Sequence, residues 1–149
     1  MNIGTDLKVE KIMQIDVVTA KETATALEIA KLMDVENVGT VLIVDDNLKL
    51  LGIITDRQLV IKVLAKDENP AKLSAANIMT KYPMSIFPDM SCKEALDVMG
   101  DYGFRRLPVE KDGKLVGIVS LSDLAPIVEF DDECLADIVN ELSSDARYK

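Results

Sequence analysis

The feature that most constrains this chain is an internal repeat. Leu7, Ile12, Met13, Glu28 and Met33 recur as Leu73, Ile78, Met79, Glu94 and Met99, each 66 residues later. Gly52-Ile53 recurs as Gly117-Ile118 at a spacing of 65, one residue having been dropped in a turn. The same order of segments follows in both copies. Self-similarity at a fixed spacing means two versions of one supersecondary unit, and 149 residues leave room for little else.

The pattern within a copy sets its elements. After a lead-in with a short helix around Leu7 to Met13, Val17 to Ala20 reads as a short strand. Thr25 to Glu36 carries Ala26, Ile29, Ala30 and Met33 at i, i+3, i+4 and i+7, one face of a helix. Val41 to Val44 is a continuous apolar run, a buried strand. Asp45-Asp46-Asn47 is turn chemistry, and Leu50 to Ile54 is the returning strand. A second helix starts at Thr55, with Leu59, Val60, Val63 and Leu64 on its apolar side. Lys66 to Pro70 is a polar linker.

The second copy repeats this order. Ser74 to Met79 echoes the lead-in and Met84 to Phe87 the short strand. Ser91 caps a helix with Cys92, Ala95, Leu96 and Met99 on one face. Arg106 to Val109 and Leu115 to Val119 are strands joined by an Asp112-Gly113 hairpin turn, and a helix follows Ser120 to about Pro126. Outside the repeat, residues 131–145 carry Leu135, Ile138, Val139 and Leu142 on one face of an amphipathic C-terminal helix. The expected fold class is α+β: two tandem β-α-β-β-α units with small mixed sheets, at 7–66 and 73–129, plus that helix.

Each copy ends its last strand in a corner. The second is Gly117-Ile118-Val119-Ser120-Leu121-Ser122-Asp123; the first is Gly52-Ile53-Ile54-Thr55-Asp56-Arg57-Gln58. A helix that begins at Ser120 offers free backbone N–H groups and partial positive charge, a natural phosphate seat. Asp123, acceptor-only when ionised, suits two vicinal hydroxyl donors. The same Ser-x-x-Asp is also a capping box that needs no ligand, and the residues alone leave both readings open. Thr-x-x-Gln at the first corner still caps a helix, but Gln58 brings no charge to a hydroxyl.

Composition narrows the function classes. The net charge of −9 disfavours nucleic-acid binding, which draws its affinity from clustered Lys and Arg. With no histidine, histidine-based acid/base catalysis and most zinc sites are excluded. Cys92 and Cys134 show no metal spacing and no disulfide framework, which points to a reduced, cytoplasmic protein. No apolar run approaches the roughly 18 residues of a membrane span. Asp45-Asp46 and Asp131-Asp132-Glu133 read as solvated turns and caps, and no metal site is expected. With no nucleophile beside a base, no enzyme is expected either.

The corner motif, twice in register, resembles the cystathionine-β-synthase (CBS) domain, and the tandem pair resembles a stand-alone Bateman module spanning about residues 7 to 129. The resemblance implies a regulatory, non-catalytic module that binds an adenosine-containing ligand (AMP, ATP, NAD or S-adenosylmethionine) in clefts between two units. By resemblance Ser120 faces the phosphate, Asp123 holds the ribose hydroxyls, and Arg105 and Arg106 meet the phosphate. Val18, Val38 and Thr40 line the adenine cleft. The first corner, with Thr55, Gln58, Arg57 as a substitute cation, and Met84 and Phe104 as adenine contacts, is the weaker site: Gly39 and Thr40 stand where the second copy has Arg105 and Arg106. The resemblance also implies a homodimer and an effector protein of unknown identity. A ligand-free dimerisation scaffold is the alternative.

Overall fold

In the computed structural model the described residues are 7–127. The expected C-terminal helix and Cys134 lie outside them. The described chain divides into two packing units: Asp16–Pro83 with Asp112–Leu115, and 7–15 with Met84–Lys111 and 116–127. These units differ from the sequence repeats in two respects. The second copy's hairpin tip, Asp112–Leu115, belongs with the first-repeat unit. The lead-in of each copy packs with the body of the other.

The first-repeat unit holds a four-stranded sheet of order β1-β2-β3-β4, formed by Thr19–Ala20, Thr40–Val44, Leu50–Thr55 and Thr80–Lys81. β1 runs parallel to β2; the β2–β3 and β3–β4 pairs are antiparallel. Helix α1 (Ala26–Glu36) starts at a capping box. The Glu28 N–H donates to Thr25 Oγ1 at 3.1 Å, and the Thr25 N–H donates to Glu28 Oε2 at 2.8 Å. It buries Ala26, Ile29 and Met33 as the spacing predicts, whereas Ala30 stays exposed. These side chains pack with Val41, Ile43, Ile54, Val63, Ala75 and Ile78. Ala75 and Ile78 belong to α3 (Ala75–Ile78), the second copy's lead-in.

The second helix differs from expectation. α2 (Asp56–Leu59) runs on into a π turn, Val60–Leu64, closed by the Ala65 N–H donating to the Val60 carbonyl at 2.8 Å. The wider turn breaks the 3.6-residue period. Val63 is buried, but Val60 and Leu64, expected on the apolar side, are 53% and 72% exposed.

In the second-repeat unit, β5 (Arg106–Lys111) and β6 (Lys114–Ser120) form the hairpin. Asp112 and Gly113 both take positive φ, 53° and 77°, as a two-residue turn of this kind requires. Met84 to Phe87 is no strand: it contributes one parallel bridge, Ile86 to Val109. Pro83 and Pro88 flank it and cannot donate to a ladder. On the other edge Gln14 makes an antiparallel bridge to Ile118, so Ile86 and Gln14 stand where β1 and β4 stand in the first unit. α4 (Cys92–Tyr102) is capped by Ser91 Oγ, ends at left-handed Gly103, and buries Cys92, Ala95, Leu96 and Met99. They form a core with Leu107, Val109, Val119, and Leu121 and Leu124 of α5 (Leu121–Leu124). Val9, in the lead-in's 3-10 turn Val9–Lys11, joins this core.

The corner glycines admit the exchanged lead-ins. A Cβ on Gly117 would stand 2.7 Å from Met13 Sδ and 2.9 Å from the Gln14 carbonyl, and one on Gly52 would collide with Met79. The repeated Met13/Met79 and Gly117/Gly52 are therefore partners in packing, each methionine lying on the other copy's glycine.

Candidate functional site: the two strand-to-helix corners

At the second corner, Ser120 ends β6 in extended backbone and caps α5. The Asp123 N–H donates to Ser120 Oγ at 3.1 Å, and the Ser120 N–H donates to Asp123 Oδ2 at 2.9 Å, a complete capping box. Ser120 and Ser122 hydroxyls meet at 2.8 Å. The Leu121 N–H donates to the Arg105 carbonyl at 2.7 Å, which fixes the chain before β5 beside the helix start. Gln14 Nε2 lies 3.3 Å from Asp123 Oδ1 and 3.4 Å from Oδ2, at the long end of hydrogen bonding. An ionised carboxylate has about four lone-pair sites, so Asp123 serves the cap and keeps acceptor capacity on Oδ1.

The first corner has the same frame with different chemistry. Gln58 replaces the aspartate in the capping box: Thr55 N–H to Gln58 Oε1 is 2.9 Å and Gln58 N–H to Thr55 Oγ1 is 3.3 Å. Its Nε2 donates to Thr80 Oγ1 at 2.5 Å. Both ends of the amide are thus engaged by the protein.

The remaining expected residues are spread over the fold. Arg105 is half-buried, next to the second corner; Arg106 opens β5 and is exposed. Thr40 lies directly opposite Thr55 in the β2–β3 register, at the first corner. It is 8% exposed, and its Oγ1 has no hydrogen-bond partner among the described residues. Val18 packs against the first unit's core and Val38 is half-buried after α1. Arg57 follows Asp56 on α2 and is exposed; Met84 is 38% exposed. Phe104 stacks on Tyr102 with centroids 6.3 Å apart. Ser120, Asp123, Arg105 and Arg106 therefore belong to one unit, as do Thr40, Thr55, Arg57 and Gln58 to the other, where Val18 and Val38 also lie.

The CBS domain family model matches residues 9–65 and again 75–129. The chain belongs to the CBS domain family. YlbB of Bacillus subtilis is 39% identical over 120 residues, covering 79% of this chain and 80% of its own. MK0525 of Methanopyrus kandleri is 40% identical over 122 residues; the match covers 81% of this chain and 62% of that longer protein. Among solved structures, the CBS domain pair of MJ0100, in complex with 5-methylthioadenosine and S-adenosyl-L-methionine, superposes with a TM-score of 0.71 at 29% identity, over 80% of this chain and 94% of that one.

Sequence reasoning missed three polar residues at the CBS corners: Gln14, Thr80 and Ser122. Gln14 and Thr80 are repeat partners, 66 residues apart, directly after Met13 and Met79. Extending the repeat by one position past the methionines is the signal that finds them. Among the described residues no cluster of three or more His, Cys, Asp or Glu could hold a metal ion, and no helix is long and apolar enough to cross a membrane.

Proposed function

We propose that this CBS pair is a non-catalytic regulatory module that binds an adenosine-containing ligand of the AMP, ATP, NAD or S-adenosylmethionine class. The observation that carries the reading is Asp123. It keeps acceptor capacity on Oδ1, which the Gln14 amide approaches at 3.3 Å, beside the Ser120 and Ser122 hydroxyls, with Arg105 anchored next to them. A carboxylate accepts from two vicinal ribose hydroxyls, each charge-assisted bond contributing about 1.5–3 kcal/mol. The hydroxyls and arginines suit phosphate or another polar group attached to the ribose. The adenosine ligands of the MJ0100 pair support the ligand class. Ligand binding acts on an effector protein by selecting one conformation, with an effect bounded by the ligand's differential affinity for the two states.

A specific observation favours the second reading, a ligand-free dimerisation scaffold. Both corners are complete capping boxes and satisfy their helices without any ligand. Titration calorimetry against AMP, ATP, NAD and S-adenosylmethionine decides between them. One ligand per chain, weakened by Asp123→Asn, is the outcome expected of the sensor. No heat from any of the four, from protein stripped of nucleotide, with a second binding method agreeing, establishes the scaffold.

A further inference from the structure

The two corners treat the same helix amide differently. At the first corner α2 and its π turn form nine consecutive helical residues, and three first-turn N–H groups have acceptors from the chain. Asp56 N donates to the Gly39 carbonyl at 2.9 Å and Gln58 N to Thr55 Oγ1 at 3.3 Å. Between them the Arg57 N–H donates to Asp56 Oδ1 at 2.8 Å. At the second corner Leu121 N and Asp123 N have the matching acceptors, the Arg105 carbonyl and Ser120 Oγ. The equivalent of the Arg57 amide is Ser122 N–H, which meets no acceptor among the described residues. The residue before it is Leu121, whose side chain is buried in the core.

Gly39 completes the contrast. A Cβ there would stand 2.9 Å from Asp56 Oδ2 and 3.3 Å from its Cγ. The glycine leaves the space that the carboxylate occupies, at the position where the second copy carries Arg105. One corner therefore pairs glycine with aspartate; the other pairs arginine with leucine.

We propose that Asp56 is a specificity-determining residue: its carboxylate is the protein's own anion on the first corner's helix N-terminus, and it excludes phosphate from that corner. The inference rests on reading the corners as ligand seats. An incoming phosphate meets a like charge and finds its amide donor already taken, in a region whose partial positive charge one carboxylate already complements. With Gln58 held at both ends and the first-turn amides already bonded, the first corner offers no charged ribose acceptor and no free first-turn amide for a phosphate. The pair is thereby limited to one phosphate-bearing ligand per chain.

The test follows backbone amides by NMR in the full, isotope-labelled chain, titrated with inorganic phosphate and separately with AMP. Wild type, Asp56→Leu, which gives the first corner the second corner's residue, and Asp56→Asn, which keeps an oxygen for the Arg57 N–H but drops the charge, are compared. The expected result is a saturable phosphate shift of the Arg57 amide in Asp56→Leu, at a concentration at least about tenfold below any movement in wild type. Asp56→Asn should fall between the two, and it carries the test if the leucine variant fails to fold. The proposal is overturned if wild type saturates at Arg57 as readily as the variants, or if both variants stay as silent as wild type. The AMP titration reports separately on the ligand reading through the Ser122 and Asp123 amides of wild type. Silence there with a responsive Arg57 in Asp56→Leu sinks the nucleotide reading and leaves the role of Asp56 standing. The converse sinks only the role of Asp56.

Discussion

The side-chain amide of Gln14 spans both carboxylate oxygens of Asp123, at 3.3 and 3.4 Å, across 109 residues of sequence. Its repeat partner Thr80 meets Gln58 with the donor reversed, accepting from Gln58 Nε2. In both units the residue that follows the lead-in methionine closes on the last residue of the other copy's corner. Gln14 is held in place by its backbone, which bonds to Ile118 in both directions at 2.8 and 3.0 Å. Its side chain is exposed, so it can swing away while the strand edge stays.

Long, exposed hydrogen bonds sit at the weak end of the usual range, about 0.5 kcal/mol. Gln14→Ala should therefore change stability to chemical denaturation by less than about 0.5 kcal/mol. Because the amide competes with ribose for Asp123, affinity for adenosine compounds should rise about two- to threefold. A tenfold loss in calorimetry would instead make Gln14 a ligand contact.

Asp123→Asn separates the cap from the charge. The asparagine oxygen can still accept from Ser120 N–H, so thermal stability should change little, by less than about 1 kcal/mol. A ribose loses its charge-assisted acceptor, and affinity should fall about tenfold or more. Equal affinity in the two proteins would remove Asp123 from the site.

The corner glycines make a comparative prediction. The nearest atoms to a methyl at Gly52 all belong to the Met79 side chain, whereas one at Gly117 also meets the Gln14 backbone carbonyl. Overpacking in a well-filled core costs about 1–3 kcal/mol. Gly117→Ala should fall toward the upper end of that range and Gly52→Ala toward the lower, read as denaturation midpoints at an unchanged slope. The reverse order would contradict the packing described.

Particular elements show what the sequence carries. The stripes on α1 and α4, with their Thr25 and Ser91 caps and the Asp112-Gly113 turn, were legible because spacing and turn chemistry decide them locally. The corner residues were legible as a motif, and the family resemblance agrees with the matched CBS domains. The π turn was not legible: Val60 and Leu64 fit a helical stripe, but the wider turn breaks its period and both are exposed. The exchange of lead-ins was hidden because a repeat reports likeness and not which copy packs on which. Gln14 was missed for that reason, its partner lying on the other copy. Asp56 carries no signal of its own in the sequence, because its placement depends on Gly39, a residue whose meaning is the space it leaves.

Asp45 gives a pH dependence. Its Oδ1 accepts from Lys49 N–H at 2.9 Å and Asn47 N–H at 2.8 Å. The Lys49 amide, more than any other group, holds the carboxyl below its ordinary value. A carboxyl lowered in the folded state adds stability that is present above its unfolded value, about 3.9, and is lost as pH falls through the folded one. The stability gap between wild type and Asp45→Ala should be full above about pH 5 and close on acidification. Denaturation curves at several pH values check this, and a gap that widens in acid would reverse the sign.

Thr40 supplies the last prediction. Its hydroxyl is buried opposite Thr55 without a partner among the described residues. A buried polar group left unsatisfied costs about 1–3 kcal/mol. Thr40→Val keeps the shape and removes the hydroxyl, so the ligand-free protein should gain about 1 kcal/mol. A destabilising defect persists where it serves something, and Thr40 is among the residues read as contacts for the adenosine ligand. If the hydroxyl bonds that ligand, the valine variant should also bind it about threefold to tenfold more weakly, one ordinary hydrogen bond's worth. Thermal shifts with and without AMP read both effects together. A variant that is more stable alone and gains less from AMP assigns the hydroxyl to the ligand. One that is more stable and gains equally removes Thr40 from the ligand's contacts.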